Sequence, residues 1–370
     1  MKYVKKIILG FLVLVFFLHL GVTIFNYRSE YLTKFDANYW EMRYNKSQWV
    51  ISNSKNSIGD DGLYAYVGWN YITGGDPTLL NAEIPPVGKY IIGIGEITFQ
   101  NQNILILLVG LSCLGVLYLV NIRIFKDKLL SFIPVFLFSF DPLFSSQLRA
   151  PYLDTMYLLF LLLALLCTLQ KRYVLSSLML GLFAATKFPA GSLFLFAPIF
   201  TWVFLYDRKG FKKYLISLLL WPLVFLLSYT MYFVKGGSMI GFLGVQKWIV
   251  HFYQTGVKSS PGIVYPMILF GNWYTWFGGL QKVSEWNLLW PISFIGSVFA
   301  ALPLAPQIIL RSKRLKSKDE AIVLVLFWVI SYLMFLSFTP VFPRYLLLLL
   351  PFMYNLCIWF LVRYAFPRFS

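Results

Sequence analysis

The sequence predicts an all-α polytopic membrane protein, a single domain over residues 1–370 with about ten transmembrane helices. Three observations carry that prediction. Of 370 residues, 59% are apolar and only 13% are charged. Leu-rich runs of the ~20 residues needed to cross a ~30 Å hydrocarbon core recur from end to end. The basic residues cluster in short connectors between those runs, as in a positive-inside membrane protein. This pattern excludes a soluble enzyme, a disordered chain and an outer-membrane barrel, whose strands would be shorter and alternating.

Hydropathy places the spans at 6–26, 103–124, 129–147, 152–170, 173–188, 190–206, 213–234, 287–310, 320–338 and 344–362. The first follows Lys2, Lys5 and Lys6 with no small-residue cleavage pattern behind it, so it reads as a retained helix. With a cytoplasmic N-terminus, the connectors bearing Arg123, Lys126 and Lys128, Lys171 and Arg172, Arg208, Lys209, Lys212 and Lys213, Arg311 to Lys318, and Arg363 and Arg368 all fall inside. The net charge of +17 therefore orients helices and meets anionic lipid; it does not point to nucleic acid. Cys113, Cys167 and Cys357 sit far apart within apolar runs and read as packing residues without a disulfide framework.

Two segments are external. Residues 235–286 are rich in Trp, Tyr and Phe and suit an interfacial belt. Residues 27–102 carry Glu30, Asp36, Glu41, Asp60, Asp61, Asp76 and Glu83. Within them, Asp61 to Ile72 winds apolar residues around a helical wheel, which predicts a short interfacial helix with Asp60 as its N-cap. A second, partly apolar helix, VGKYIIGIGEITF, follows Pro85 and Pro86.

No Walker A loop, HExxH, CxxC pair or complete GxGxxG occurs, and His19 and His251 are the only histidines, which argues against ATP-driven transport and a Cys/His zinc site. The remaining polar residues lie at the outer ends of spans. The stretch GDDGLYAYVGWNYITGGDPTLLNAEIPPVGKY, residues 59–90, resembles the first external loop of GT-C glycosyltransferases, in particular the protein O-mannosyltransferases and the aminoarabinose-type lipid A transferases. Those families open a short helix with an acid pair and an aromatic, here Asp60, Asp61 and Tyr64, and follow it with a Pro-Pro turn and a lysine, here Pro85, Pro86 and Lys89. Asp61 stands where the families have Glu, and no His precedes Pro85.

Further resemblances keep the family order. FDPLFSSQLRAPYLD supplies Asp141, Arg149 and Asp154; GLFAATKFPAG supplies Lys187; the aromatic loop around KWIVH supplies His251; PRYLLLLLP supplies Arg344. The resemblance implies a GT-C-type bundle that moves a mannose-like hexose from a polyprenyl-phosphate donor to an acceptor hydroxyl. A protein Ser/Thr acceptor is favoured, with a lipid or glycan as the alternative. It implies no obligatory metal; Asp60, Asp61 and Asp154 would hold a divalent cation if they converge. The Lys-, Asn- and Ile-containing loops and the short single-domain form point to a prokaryotic plasma membrane, with the site on its outer face.

The chemistry agrees with that reading. A departing lipid phosphate needs charge stabilisation rather than a proton, which makes Lys187, Arg344, Lys89 and Arg149 its candidate partners. The attacking hydroxyl must lose a proton to a general base, for which Asp60, with Asp61 beside it, is the candidate. One base and a cationic cradle give single-displacement inversion. Tyr64, Glu83, Asp141, Asp154 and His251 are then substrate-binding or structural. Each residue also has a plain reading: Asp60 as a helix cap, Arg149 and Asp154 as a pair stapling a hairpin, Lys187 and Arg344 as snorkelling cations, His19 as a packing residue. A transporter or flippase of lipid-linked sugars would line a path with the same charges but tends to show inverted repeats, and none is visible. A non-catalytic subunit of a glycosylation complex is the third reading.

Overall fold

The computed structural model describes residues 2–255, 261–275, 279–309 and 319–365. The predicted basic connector at 311–318 and Arg368 lie outside the described residues. The chain opens with α1 (Lys2–Asn26), followed by α2 (Arg28–Leu32), α3 (Ala37–Asn45), α4 (Asp60–Ile72) and α5 (Val87–Phe99) in the first predicted external segment. The central bundle holds α6 (Ile104–Phe125), α7 (Lys128–Ser139), α8 (Pro142–Gln147), α9 (Asp154–Leu169), α10 (Tyr173–Thr186) and α11 (Pro189–Tyr206). After it come α12 (Arg208–Ser217), α13 (Leu220–Leu227), α14 (Thr230–Val234), α15 (Met239–Thr255) and α16 (Val264–Phe270). A two-stranded antiparallel ribbon, β1 (Asn272–Tyr274) and β2 (Leu280–Lys282), pairs Trp273 with Gln281. The chain continues with α17 (Leu289–Ile309), α18 (Glu320–Phe338), a 3₁₀ turn at Pro343–Leu348 and α19 (Leu350–Phe360).

Among the described residues, six helical stretches are long and apolar enough to cross a membrane, one of them α12 and α13 taken together (Arg208–Leu227), or seven if α7 and α8 count as one broken span. The difference from the ten expected has local causes. The predicted span 129–147 breaks at Asp141-Pro142, where the two helices meet at 69°. Asp141 caps α8 by accepting from Leu143 N, and Pro142 takes the first helical position, where its missing N–H costs nothing. The predicted spans at 152–170 and 173–188 appear as helices of 16 and 14 residues. The last predicted span begins as a 3₁₀ turn behind Pro343 and becomes α-helical only from Leu350. The all-helical architecture and its several long apolar helices make this an integral membrane protein.

α9 is the hub. Twelve of its sixteen residues are buried, and Tyr157 stacks on Phe183 of α10 with ring centroids 3.7 Å apart. α1, by contrast, leaves Phe11, Phe17 and Phe25 more than 60% exposed, as a peripheral helix facing lipid would. Ion pairs tie basic connectors to acids elsewhere in the chain. Lys5 meets Asp127 at 2.9 Å, Lys171 meets Asp207 at 3.5 Å, and Arg363 meets Asp319 at 2.7 Å. The free cysteines are Cys113, Cys167 and Cys357. His19 donates to the Ser139 carbonyl at 3.0 Å and stacks on Phe140.

In the first external segment, α4 and α5 cross in backbone contact. A Cβ on Gly68 would lie 2.8 Å from the Lys89 carbonyl, and one on Gly93 would lie 2.3 Å from the Gly68 carbonyl. These two glycines set the distance between the helices, and so the height at which α4 presents its first turn.

Candidate active site

The first turn of α4 presents Asp60 to Arg344. Gly59, not Asp60, is the N-cap, and it makes no side-chain capping bond. The expected capping role thus fails: Asp60 is the first helical residue, and its carboxylate accepts from the Arg344 guanidinium. Asp154, at the start of α9, lies on the other side of that arginine, with Oδ2 3.5 Å from Arg344 Nε. Its Oδ1 accepts from Lys187 at 2.5 Å, both side chains being at most 2% exposed. The order Asp60, Arg344, Asp154, Lys187 is an alternating line of charge assembled from α4, the 3₁₀ turn, α9 and the end of α10.

Aromatic rings pack this line. Lys187 lies 4.3 Å from the centre of the Tyr345 ring and 5.3 Å from Phe188, and Arg344 lies 5.3 Å from that of Tyr152. Lys187 is therefore buried between π-faces rather than snorkelling to headgroups. Arg149 rests over Tyr27 at 5.6 Å and has no carboxylate partner among the described residues, so the expected staple between Arg149 and Asp154 does not form. Solvent reaches the line at Asp60, whose side chain is 35% exposed.

Two cavities adjoin the line at consecutive residues. One, of about 480 Å³, is apolar and is lined by Phe188, Ile249, Tyr253, Phe335, Phe338 and Tyr345 among others. The other, of about 340 Å³, is more polar, with Arg344, Arg149, Tyr152, Gln147, Trp273 and Glu285 in its wall beside apolar residues such as Leu143 and Phe342.

Solved structures show where this architecture has been seen. ArnT from Cupriavidus metallidurans in the apo state superposes with a TM-score of 0.57 at 16% identity, over 83% of this chain and 55% of that one. The same protein bound to undecaprenyl phosphate gives 0.56 at 16% identity, over 94% and 60%. An Archaeoglobus fulgidus oligosaccharyltransferase in complex with zinc and sulfate gives 0.52 at 13% identity, over 89% and 49%. The chain has the GT-C fold. It spans little more than half the length of the two ArnT structures. No family model and no curated protein sequence matches it.

Within this GT-C fold, the other sequence-derived candidates divide by position. Tyr64 is buried behind Asp60, at 2% exposure, and Asp61 shares the first turn. Lys89, expected to hold a donor phosphate, is fully buried instead. Its ammonium donates to the carbonyls of Asn81 at 2.7 Å and Ile84 at 2.6 Å, and to Asn81 Oδ1 at 3.1 Å. These three acceptors, with Tyr71 Oη at 3.4 Å, use up its donors and turn it away from both cavities. Glu83 joins this knot by accepting from Asn81 Nδ2 at 2.5 Å. Burial holds the Lys89 pKa below the usual lysine range, with Glu83 opposing the shift, and burial likewise raises that of Glu83.

Asp141 is also closed off. It accepts from Tyr354 Oη at 2.6 Å, Trp290 Nε1 at 2.9 Å and Asn287 Nδ2 at 3.3 Å, with no exposed surface left for a ligand. His251 is exposed on α15, near residues that line the apolar cavity. No group of three His, Cys, Asp or Glu able to hold a metal occurs among the described residues: Asp154 is turned to Lys187 and Asp60 to Arg344. Sequence reasoning passed over Tyr345 and Tyr152. Tyr345 directly follows Arg344, and Tyr152 lies between Arg149 and Asp154, so adjacency to candidate charges was the available signal.

Proposed function

We propose that this protein is a membrane glycosyltransferase that moves a sugar from a polyprenyl-phosphate donor to an acceptor hydroxyl, with inversion. The observation that carries the reading is a charged line that one cavity reaches at Arg344 and an apolar cavity flanks at Tyr345 and Phe188, the neighbours of Arg344 and Lys187. An isoprenoid chain suits the apolar cavity, and its phosphate then arrives beside Tyr345 and Arg344. The superposition on an ArnT structure holding undecaprenyl phosphate supports the same donor class.

In this reading the acceptor hydroxyl enters from the polar side and meets Asp60, the most exposed acid of the line. Asp60 takes the hydroxyl proton as the oxygen bonds to the anomeric carbon. The bond from that carbon to the phosphate oxygen breaks on the opposite face, and the electron pair leaves with the lipid phosphate. Arg344 turns from Asp60 toward the developing phosphate charge, where a guanidinium offers paired N–H donors. Asp154, itself fixed by Lys187, holds Arg344 in place from behind. The resemblance in the first external loop favours a mannose-like hexose and a Ser/Thr hydroxyl, and the loop composition favours a prokaryotic plasma membrane with the site on its outer face.

The test is release of carrier phosphate from purified protein incubated with polyprenyl-phosphate sugars and a panel of acceptors. Asp60→Asn should reduce turnover by ~10²–10⁴, the usual contribution of a positioned base. Unchanged turnover in that variant overturns the assignment of the base. Sugar translocation without release of carrier phosphate would replace the transferase reading with a flippase.

A further inference from the structure

One carboxyl group has no part in the proposed mechanism. Glu96 on α5 is 2% exposed, and neither of its oxygens has a hydrogen-bond partner among the described residues. Buried acceptors are nearly always partnered, so two orphans on one side chain call for an occupant that carries donors. Glu96 lines a cavity of about 690 Å³ whose wall includes Lys34, Phe35, Asp36, Trp69 and Ile97. The rings of Phe35 and Trp69 are 5.6 Å apart.

The position of this cavity fixes its surroundings. Phe35 N donates to the Gln100 carbonyl at 2.8 Å, and Asn101 Nδ2 donates to the carbonyls of Glu30 at 2.8 Å and Thr33 at 2.6 Å. The cavity therefore sits just beyond the end of α1 at Asn26 and just before the start of α6 at Ile104, two helices long enough to cross the membrane. That is the level of lipid headgroups. On the same helix as Glu96, Ile94 and Ile97 are 46% and 53% exposed, an apolar flank beside the cavity.

We propose that this cavity binds an aminophospholipid, with its primary ammonium donating to Glu96 once that side chain rotates toward the cavity, its phosphate near Lys34 and its acyl chains along Ile94 and Ile97. An ammonium group bears the N–H donors that the two Glu96 oxygens lack, whereas a choline headgroup has none. Asp36 adds a second negative charge at the mouth, and Trp69 and Phe35 offer π-faces to the same cation. A purely anionic lipid would bring no positive group to Glu96. Burial alone pushes Glu96 up to about 9, which makes a charged partner the means of ionising it at neutral pH. This site is independent of the transferase reading.

Native mass spectrometry of the full chain in detergent, with thermal unfolding in parallel, tests the assignment. The probes are phosphatidylethanolamine, phosphatidylcholine and phosphatidylglycerol of matched acyl chains, and free ethanolamine. We expect about tenfold tighter retention of phosphatidylethanolamine than of phosphatidylcholine, the worth of one charge-assisted hydrogen bond. Glu96→Gln, which keeps size and removes the charge, should abolish that preference while the protein stays folded. Equal retention of the two lipids, stronger retention of phosphatidylglycerol, an unchanged preference in Glu96→Gln, or equal protection by free ethanolamine would each overturn the proposal.

Discussion

Replacing Lys187 with Met removes one partner of an ion pair that is almost wholly withdrawn from solvent. Lys187 and Asp154 are 2% and 1% exposed, and they meet at 2.5 Å. Breaking such a pair from one side leaves an uncompensated buried charge, at a cost of ~3–5 kcal/mol. Here Asp154 retains Arg344 Nε, but only at 3.5 Å and without a hydrogen bond, so the lower end of that range, ~3 kcal/mol, is expected. The double variant Lys187→Met with Asp154→Leu removes both charges and fills the space with apolar atoms. Such replacements are often neutral or stabilising, so the double variant should recover most of the loss. Chemical denaturation of wild type and the two variants in detergent measures both differences. A single variant within ~0.5 kcal/mol of wild type, the range of ordinary surface changes, would refute the claim that the pair is desolvated. A double variant no better than the single would show that Arg344 needs Asp154 to stay in place. Under the proposed function, neither variant should turn over donor at the wild-type rate.

Other expectations follow from the same structure. Glu96 is held at about 9 by burial, well above the ordinary carboxyl value. A raised acid favours the folded state fully below its unfolded pKa and loses that contribution as pH climbs toward the folded one, so stability should fall from pH 5 to pH 9. Lys34 and Asp36 are the charged groups that share its cavity, and Glu96→Gln should flatten the pH dependence of the melting temperature. Lys89→Met leaves the Asn81 and Ile84 carbonyls without their donor and Glu83 without its cation, at a cost of ~3 kcal/mol or more, readable as faster hydrogen exchange across residues 76–90. Gly68→Leu must push α5 away, because the obstacle is the Lys89 carbonyl rather than a movable side chain. Turnover should then fall with Asp60 itself intact, whereas full activity would show that the height of α4 does not matter.

How far the sequence reveals the molecule depends on the range of the interaction concerned. Apolar runs announce buried or lipid-facing helices, so the all-helical bundle and the stretches that became α1, α6, α11, α17 and α18 were legible. The ordered charges of 59–90, 140–154, 181–191 and 343–351 were legible as a set, and Asp60, Asp154, Lys187 and Arg344 lie together in one line. What could not be read was which partner each charge takes. Asp60 next to a helix start looks like a cap, but an arginine 284 residues away outcompetes the local amides. Lys89 looks like a phosphate ligand until the carbonyls of its own loop are seen to enclose it. Helix breaks were equally hidden, since hydropathy runs straight through Asp141-Pro142 and the turn behind Pro343. The two-stranded ribbon escaped notice because strands of three residues leave no period to detect.

The Asp141 knot bears on how the protein is made. Its carboxylate takes hydrogen bonds from residues 146, 149 and 213 positions further on, and Asp60 waits still longer for Arg344. During synthesis the N-terminal half is made before the side chains that pair with these acids: Asp141 has only its local bond from Leu143 N and Asp60 has no Arg344 until the later helices follow. Closing such long loops is slow, and a half-finished product exposes surfaces that invite misassembly. Truncation anywhere ahead of the last turn-and-helix unit thus yields a polypeptide that inserts but never completes its centre, a ready mark for quality-control proteolysis.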